Sequence, residues 1–139
     1  MIQPHALSQF HLRPAGLRVT NQYDLLMRRT NLAVVNSQGA VLASTACAYD
    51  EASRLSQVSS GTVTAGYSNL ANSPLVEQIS FKLGSTVRMT TTKQYDFLNR
   101  LTSIASLSAG SAAVGFSYSY NPANQRTVRQ EADGSYWRY

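Results

Sequence analysis

In the segment from Val114 to Tyr120, the residues Val114, Phe116, Tyr118 and Tyr120 alternate with Gly115, Ser117 and Ser119. A period of two puts the aromatic set on one face of a strand and the small set on the other. Val41, Ala43, Thr45, Cys47 and Tyr49 repeat the alternation, and the β-branched stretch from Thr86 to Lys93 favours a strand over a helix. Asp133-Gly134, between Thr127 to Glu131 and Ser135 to Tyr139, is a strong tight-hairpin signal. No stretch combines helical length with 3.6-residue spacing. The pattern predicts an all-β antiparallel fold of about ten strands in five hairpins.

The chain repeats itself. Four octapeptides align without gaps, YDLLMRRT from Tyr23, YDEASRLS from Tyr49, YDFLNRLT from Tyr95 and YNPANQRT from Tyr120, at intervals of 26, 46 and 25 residues. Since 46 is two units of 23, a degenerate unit belongs in the long interval, where Tyr67 opens YSNLANSP. A second register agrees: Gly39, Gly61, Gly84, Gly110 and Gly134 follow the five tyrosines by 16, 12, 17, 15 and 14 residues. Each unit therefore reads Tyr, turn, strand, Gly turn, strand. The Tyr ends a strand, and the following Asp24, Asp50, Asp96 or Asn121 can accept from backbone donors in the turn. The fifth position suits a sharp bend at Ser53, Asn99 and Asn124, but fits badly at Met27, where a left-handed backbone is costly.

Composition sharpens this picture. Of the 139 residues 43% are hydrophobic and only 14% charged, which suits pleated surfaces better than charged amphipathic helices. The net charge of +5 permits acidic partners, yet the ten arginines are spread along the chain, which argues against a nucleic-acid partner. No run approaches the roughly 20 apolar residues of a membrane-spanning helix. Cys47 is the only cysteine, so neither an internal disulfide nor a cysteine metal cage is available. Residues 1–20 lack the repeat signature, carry Pro4 and Pro14, and are expected to form an irregular segment outside the sheet.

Catalytic chemistry finds little footing. Acid/base work needs two groups converging on one substrate atom, whereas the Tyr-Asp pair recurs at hairpin spacing, as a structural element does. Asp24, Asp50 and Asp96 fall in successive units without the dense oxygen-ligand loop of a cation site. His5 and His11 lack acidic or cysteine partners, and Cys47 has no histidine in the repeat region to activate it. The expectation is no enzyme, no cofactor and no metal.

The repeated element resembles the Rhs/YD repeat, which runs Tyr-Asp-x-x-Gly-Arg-Leu-Thr, then strand, Gly-containing turn and strand. Arg54-Leu55-Ser56 and Arg100-Leu101-Thr102 match the Arg-Leu-Thr element, and Asn124-Gln125-Arg126-Thr127 looks like a Gly-Asn-Arg-Thr variant. The resemblance covers residues 21–139 as about five units. Glycine is replaced at every fifth position, Asn121 follows Tyr120, and the unit at Tyr67 keeps little but its Tyr. The resemblance implies an open, curved or spiral sheet. In bacterial polymorphic toxins and toxin complexes such sheets form a shell around a C-terminal toxin, and in teneurins a related barrel. It implies a structural module, secreted or cell-envelope associated, that helps to encapsulate or present a C-terminal effector and whose partners are neighbouring YD repeats of the parent protein and the enclosed toxin. The array is expected to be incomplete after Trp137-Arg138-Tyr139. The alternative is a carbohydrate- or cell-surface-binding β module, with Tyr118, Tyr120, Arg126, Tyr136, Trp137 and Arg138 offered to a glycan.

Overall fold

The structure, a computed structural model, describes Gln9–Phe10 and residues 16–139. Among the described residues there is no helix, and so none long and apolar enough to cross a membrane. The chain divides into two compact units, Met1–Thr64 and Ala65–Tyr139. The first holds β1 (Gln9–Phe10), β2 (Arg18–Tyr23), β3 (Arg29–Val35), β4 (Val41–Tyr49) and β5 (Leu55–Ser60). The boundary falls inside β6 (Val63–Asn69). The second unit continues with β7 (Val76–Leu83), β8 (Thr86–Tyr95), β9 (Leu101–Ser108), β10 (Val114–Tyr120), β11 (Arg126–Glu131) and β12 (Tyr136–Arg138).

Pairing follows the chain. In the first unit β1 to β5 each pair antiparallel with the next strand. In the second, β7 to β12 do the same. The five glycine turns stand where the spacing places them: Gly39, Gly61, Gly84, Gly110 and Gly134 all have positive φ, between +56° and +88°. Gly84 and Ser85 alone connect Leu83 to its partner Thr86, with glycine at the first central position as a type II′ turn requires. The Asp133-Gly134 turn is wider than the dipeptide suggests. Glu131 N–H reaches Ser135 O at 2.8 Å, and Gly134 takes the left-handed place after a first turn.

The irregular start is corrected in part. Arg18, Val19 and Thr20 belong to β2 and pair with Val35, Val34 and Ala33, while Gln9–Phe10 adds a two-residue edge strand. The β-branched pair Val19-Thr20 continues the alternation of the first hairpin, and that local pattern outweighs the missing signature. Pro4, Pro14, His5 and His11 lie outside the described residues.

In the second unit the two faces of the sheet differ. Lys93, Ile104, Phe116 and Glu131 stand side by side across β8 to β11, and on the reverse Gln94, Ser103, Ser117 and Gln130 do so. Ser103 Oγ donates to Gln94 Oε1 at 2.9 Å along that polar row. Little is deeply buried. Among the described residues only Ala33 (5% exposed), Val35 (6%) and Thr91 (7%) are, and no large side chain is fully enclosed. Backbone pairing and contacts between adjacent strands hold each unit, without an interior of packed side chains.

Candidate interaction surface at the tyrosine-aspartate turns

Four of the five turns that open the units share one geometry. Asp24 N–H donates to Arg28 O at 3.0 Å and Met27 N–H to Asp24 O at 3.0 Å; the same pair of bonds recurs from Asp50 to Arg54, from Asp96 to Arg100 and from Asn121 to Gln125. This is a first turn closed by one left-handed residue. The left-handed residues are Met27, Ser53, Asn99 and Asn124, with φ of +60° or +61°. Met27 therefore adopts the conformation that its side chain disfavours, because the bonds on either side fix the turn whatever residue stands there.

The acidic residue organises the turn from within. Asp24 Oδ1 accepts from the N–H groups of Leu26 and Arg28 at 2.9 and 3.0 Å, and Asp96 Oδ1 from those of Leu98 and Arg100 at the same distances. Asp50 Oδ1 accepts from Arg54 N–H at 2.9 Å. The second carboxylate oxygen holds the arginine four residues on: Nε of Arg28, Arg54 and Arg100 lies 2.7, 2.7 and 2.6 Å from Oδ2 of its own aspartate. The backbone N–H of Arg28, and after it the guanidinium, keeps the Asp24 carboxyl below its usual range, and Arg54 acts likewise on Asp50. At Asp96 partial burial pulls upward, but the N–H and guanidinium of Arg100 with the N–H of Leu98 outweigh it. These carboxylates are spent on backbone and guanidinium donors, so they form no open ladder for a cation.

A β-bulge sits at the same place in each of the four turns. Tyr23, Tyr49, Tyr95 and Tyr120 pair with the seventh residues Arg29, Leu55, Leu101 and Arg126, while the residues before them pair with the ninth. The eighth residue, Thr30, Ser56, Thr102 or Thr127, is thus the extra one. Thr127 Oγ1 donates to Ser119 O at 3.2 Å beside this irregularity.

Three tyrosines also bind the hairpin before their own. The phenols of Tyr49, Tyr95 and Tyr120 donate to the carbonyls of Arg29, Val76 and Leu101 at 2.9, 2.9 and 2.7 Å. In two units the arginine answers. The guanidinium of Arg28 lies over the Tyr49 ring and that of Arg100 over the Tyr120 ring, each 4.7 Å from the centroid. Partial burial raises the Tyr95 phenol above its ordinary pKa. Arg28, absent from the Arg-Leu-Thr matches, has the same role as Arg100; the octapeptide alignment carried that signal.

One unit departs from the shared turn, and another keeps it with different side chains. Tyr67 lies inside β6 and opens no turn; Asn69 ends the strand and Leu70 begins the loop, bonding through its N–H to Leu75 O at 2.9 Å. This loop is one residue longer, and Asn72 is its left-handed residue. After Tyr120 the arginine's place belongs to Gln125: Asn121 Nδ2 donates to Gln125 Oε1 at 2.9 Å, a neutral counterpart of the aspartate-arginine pair. Arg126 stands one residue later, its guanidinium 4.2 Å from the Tyr118 centroid. With Tyr120, Asn124 and Tyr139 it lines a recess of about 420 Å³. Among the described residues two of the glycine turns are also braced by a side chain: Asn36 Oδ1 accepts from Gln38 and Ala40 N–H before Gly39, and Asp133 Oδ1 accepts from the N–H and hydroxyl of Ser135 beside Gly134.

The turns can bind backbone and guanidinium groups of an adjacent hairpin, and they place the apolar tips Leu25, Leu26, Phe97 and Leu98 in solvent. Cys47 is half-buried beside Val58. A comparison with protein-family models finds none that matches the chain, and no curated protein matches it either.

Proposed function

We propose that the chain is a structural module of the Rhs/YD-repeat type, not an enzyme, and that it builds part of a β-shell which encapsulates or presents a C-terminal effector. The observation that carries this reading is the lateral bond from the phenol of one unit to the carbonyl of the first strand residue after the preceding turn, made three times at separations of 19 or 20 residues. A repeat that recognises its predecessor in this way is suited to propagating a sheet. The scarcity of buried side chains supports the same reading, since repeat units gain their stability against neighbours. So do the exposed apolar tips at Leu25 and Phe97, which suit burial against further parts of a larger assembly.

Two measurements test it. Limited proteolysis of the protein expressed with the sequence that flanks it in its gene should leave a downstream segment protected; digestion of that segment while the sheet survives overturns enclosure. Unfolding of the purified chain should depend on concentration or on added flanking repeats. A monomer with one sharp, reversible, concentration-independent transition overturns dependence on neighbours.

The recess of Tyr120, Asn124, Arg126 and Tyr139, with exposed Tyr136 and Trp137 nearby in sequence, favours a second reading as a glycan- or cell-surface-binding β module. Chemical-shift changes at these residues on titration with oligosaccharides would support it, and their absence across a panel would remove it.

A further inference from the structure

The fifth residue of the Tyr-Asp turn sits at φ of +60° or +61°, where glycine is the least strained choice, yet Met27, Ser53, Asn99 and Asn124 occupy it. Two of these four side chains meet an arginine of the preceding hairpin. Arg28 Nη1 donates to Ser53 Oγ at 3.0 Å, and Arg100 Nη1 donates to Asn124 Oδ1 at 2.8 Å. Both arginines are already held in place, with Nε on the aspartate of their own turn and the guanidinium plane over the tyrosine of the next. With the guanidinium so oriented, Nη1 is directed to the fifth residue of the following turn.

The other positions supply an internal contrast. The hairpin before Asn99 carries Leu75 where the arginine would stand, immediately ahead of Val76, whose carbonyl accepts from Tyr95. Asn99 accordingly has a left-handed backbone and no arginine from the preceding hairpin on its side chain.

We infer that the fifth residue is a neighbour-recognition position, at which a side-chain oxygen on the left-handed residue is read by the arginine of the preceding hairpin. An acceptor there offsets the backbone strain that glycine would avoid, and it favours one hairpin over another as the successor of an arginine-bearing turn. The pairing concerns this chain alone and stands whether or not the sheet encloses a cargo.

The test compares glycine substitutions in the full chain. Asn99→Gly removes strain and loses no arginine contact, so it should raise the denaturation midpoint. Asn124→Gly removes the same strain but also the acceptor of Arg100, so it should lower the midpoint. In an Arg100→Gln background Asn124→Gly should raise it, a coupling of about fivefold in the folded-to-unfolded ratio. Ser53→Gly with and without Arg28→Gln repeats the cycle in the first unit. Where a variant does not unfold reversibly, native-state exchange of the amides at positions 99 and 124, bonded to Asp96 O and Asn121 O, provides the same comparison. Equal gains from Asn99→Gly and Asn124→Gly, or no coupling to Arg100, would overturn the inference.

Discussion

Tyr120 donates its phenol hydrogen to the carbonyl of Leu101, 2.7 Å away and 19 residues earlier, so that the residue ending β10 is fastened to the residue beginning β9. Tyr120→Phe keeps the ring under Arg100 and removes this bond together with the contact of the hydroxyl with Arg126. The expected cost is about 1 kcal/mol, with an unchanged denaturant slope. Tyr49→Phe, whose bond to Arg29 O is exposed, should cost less. A loss at Tyr120 no larger than at Tyr49 would show that the phenol bond does not couple the hairpins.

Acid should loosen the turns. Asp24, Asp50, Asp96 and Asp133 all have carboxyls lowered in the folded state, the last chiefly by the Ser135 hydroxyl and N–H. Such groups contribute stability above their unfolded pKa of about 3.9, and that contribution is lost as pH falls through the lower folded values. Urea midpoints should therefore be level near neutrality and decline below about pH 4–5. Asp96→Asn keeps an acceptor for the backbone, as Asn121 already does, and should make the decline shallower. A midpoint that rises on acidification would contradict the assignment.

Met27 bears a strained backbone at φ +60°, and the residue is 64% exposed. Met27→Asn should raise stability by about 0.5–1 kcal/mol, because asparagine tolerates the left-handed region and little burial is lost. Calorimetry reads this directly. Destabilisation would mean that the Met27 side chain makes contacts which matter more than its backbone.

Gly115 is required for space, not for its dihedral angles. A Cβ there would lie 2.5 Å from Ile104 O and 2.9 Å from Ala105 Cα, both backbone atoms, so Gly115→Ala should cost about 1–3 kcal/mol. Gly66→Ala would meet only the rotatable Ser80 hydroxyl at 3.1 Å and should be far milder. Comparable melting points for the two variants would rule out the close approach of β9 and β10.

The glycine turns and strands were legible because glycine at positive φ and strict alternation are local signals, readable without knowing what packs where. Tyr67 misled for the same reason. Its spacing fits the period, but turn geometry is set by which residue can accept or bend, and Asn69 to Leu75 offered a longer route two residues on. Arg126 likewise matched a letter pattern, while the turn counts positions, and Gln125 holds the sixth. The reach of Arg28 and Arg100 into the next hairpin was not legible, because it depends on the bulge that sets the register between units. The Met27 conformation went against its own side chain's preference, since the cooperative bonds of the turn outweigh a single residue's cost.

Because every described strand within a unit pairs with its sequence neighbour, closing each hairpin takes a loop of only a few residues, and the entropy lost in each closure is small. All-β chains are slow to fold when their strands must find distant partners. Here no such search is imposed inside a unit: a hairpin formed anywhere offers its edge to the next one to emerge. Assembly can advance rung by rung at the pace of hairpin formation, which takes about 1–10 µs per event, and it can begin while the rest of the chain is still being synthesised.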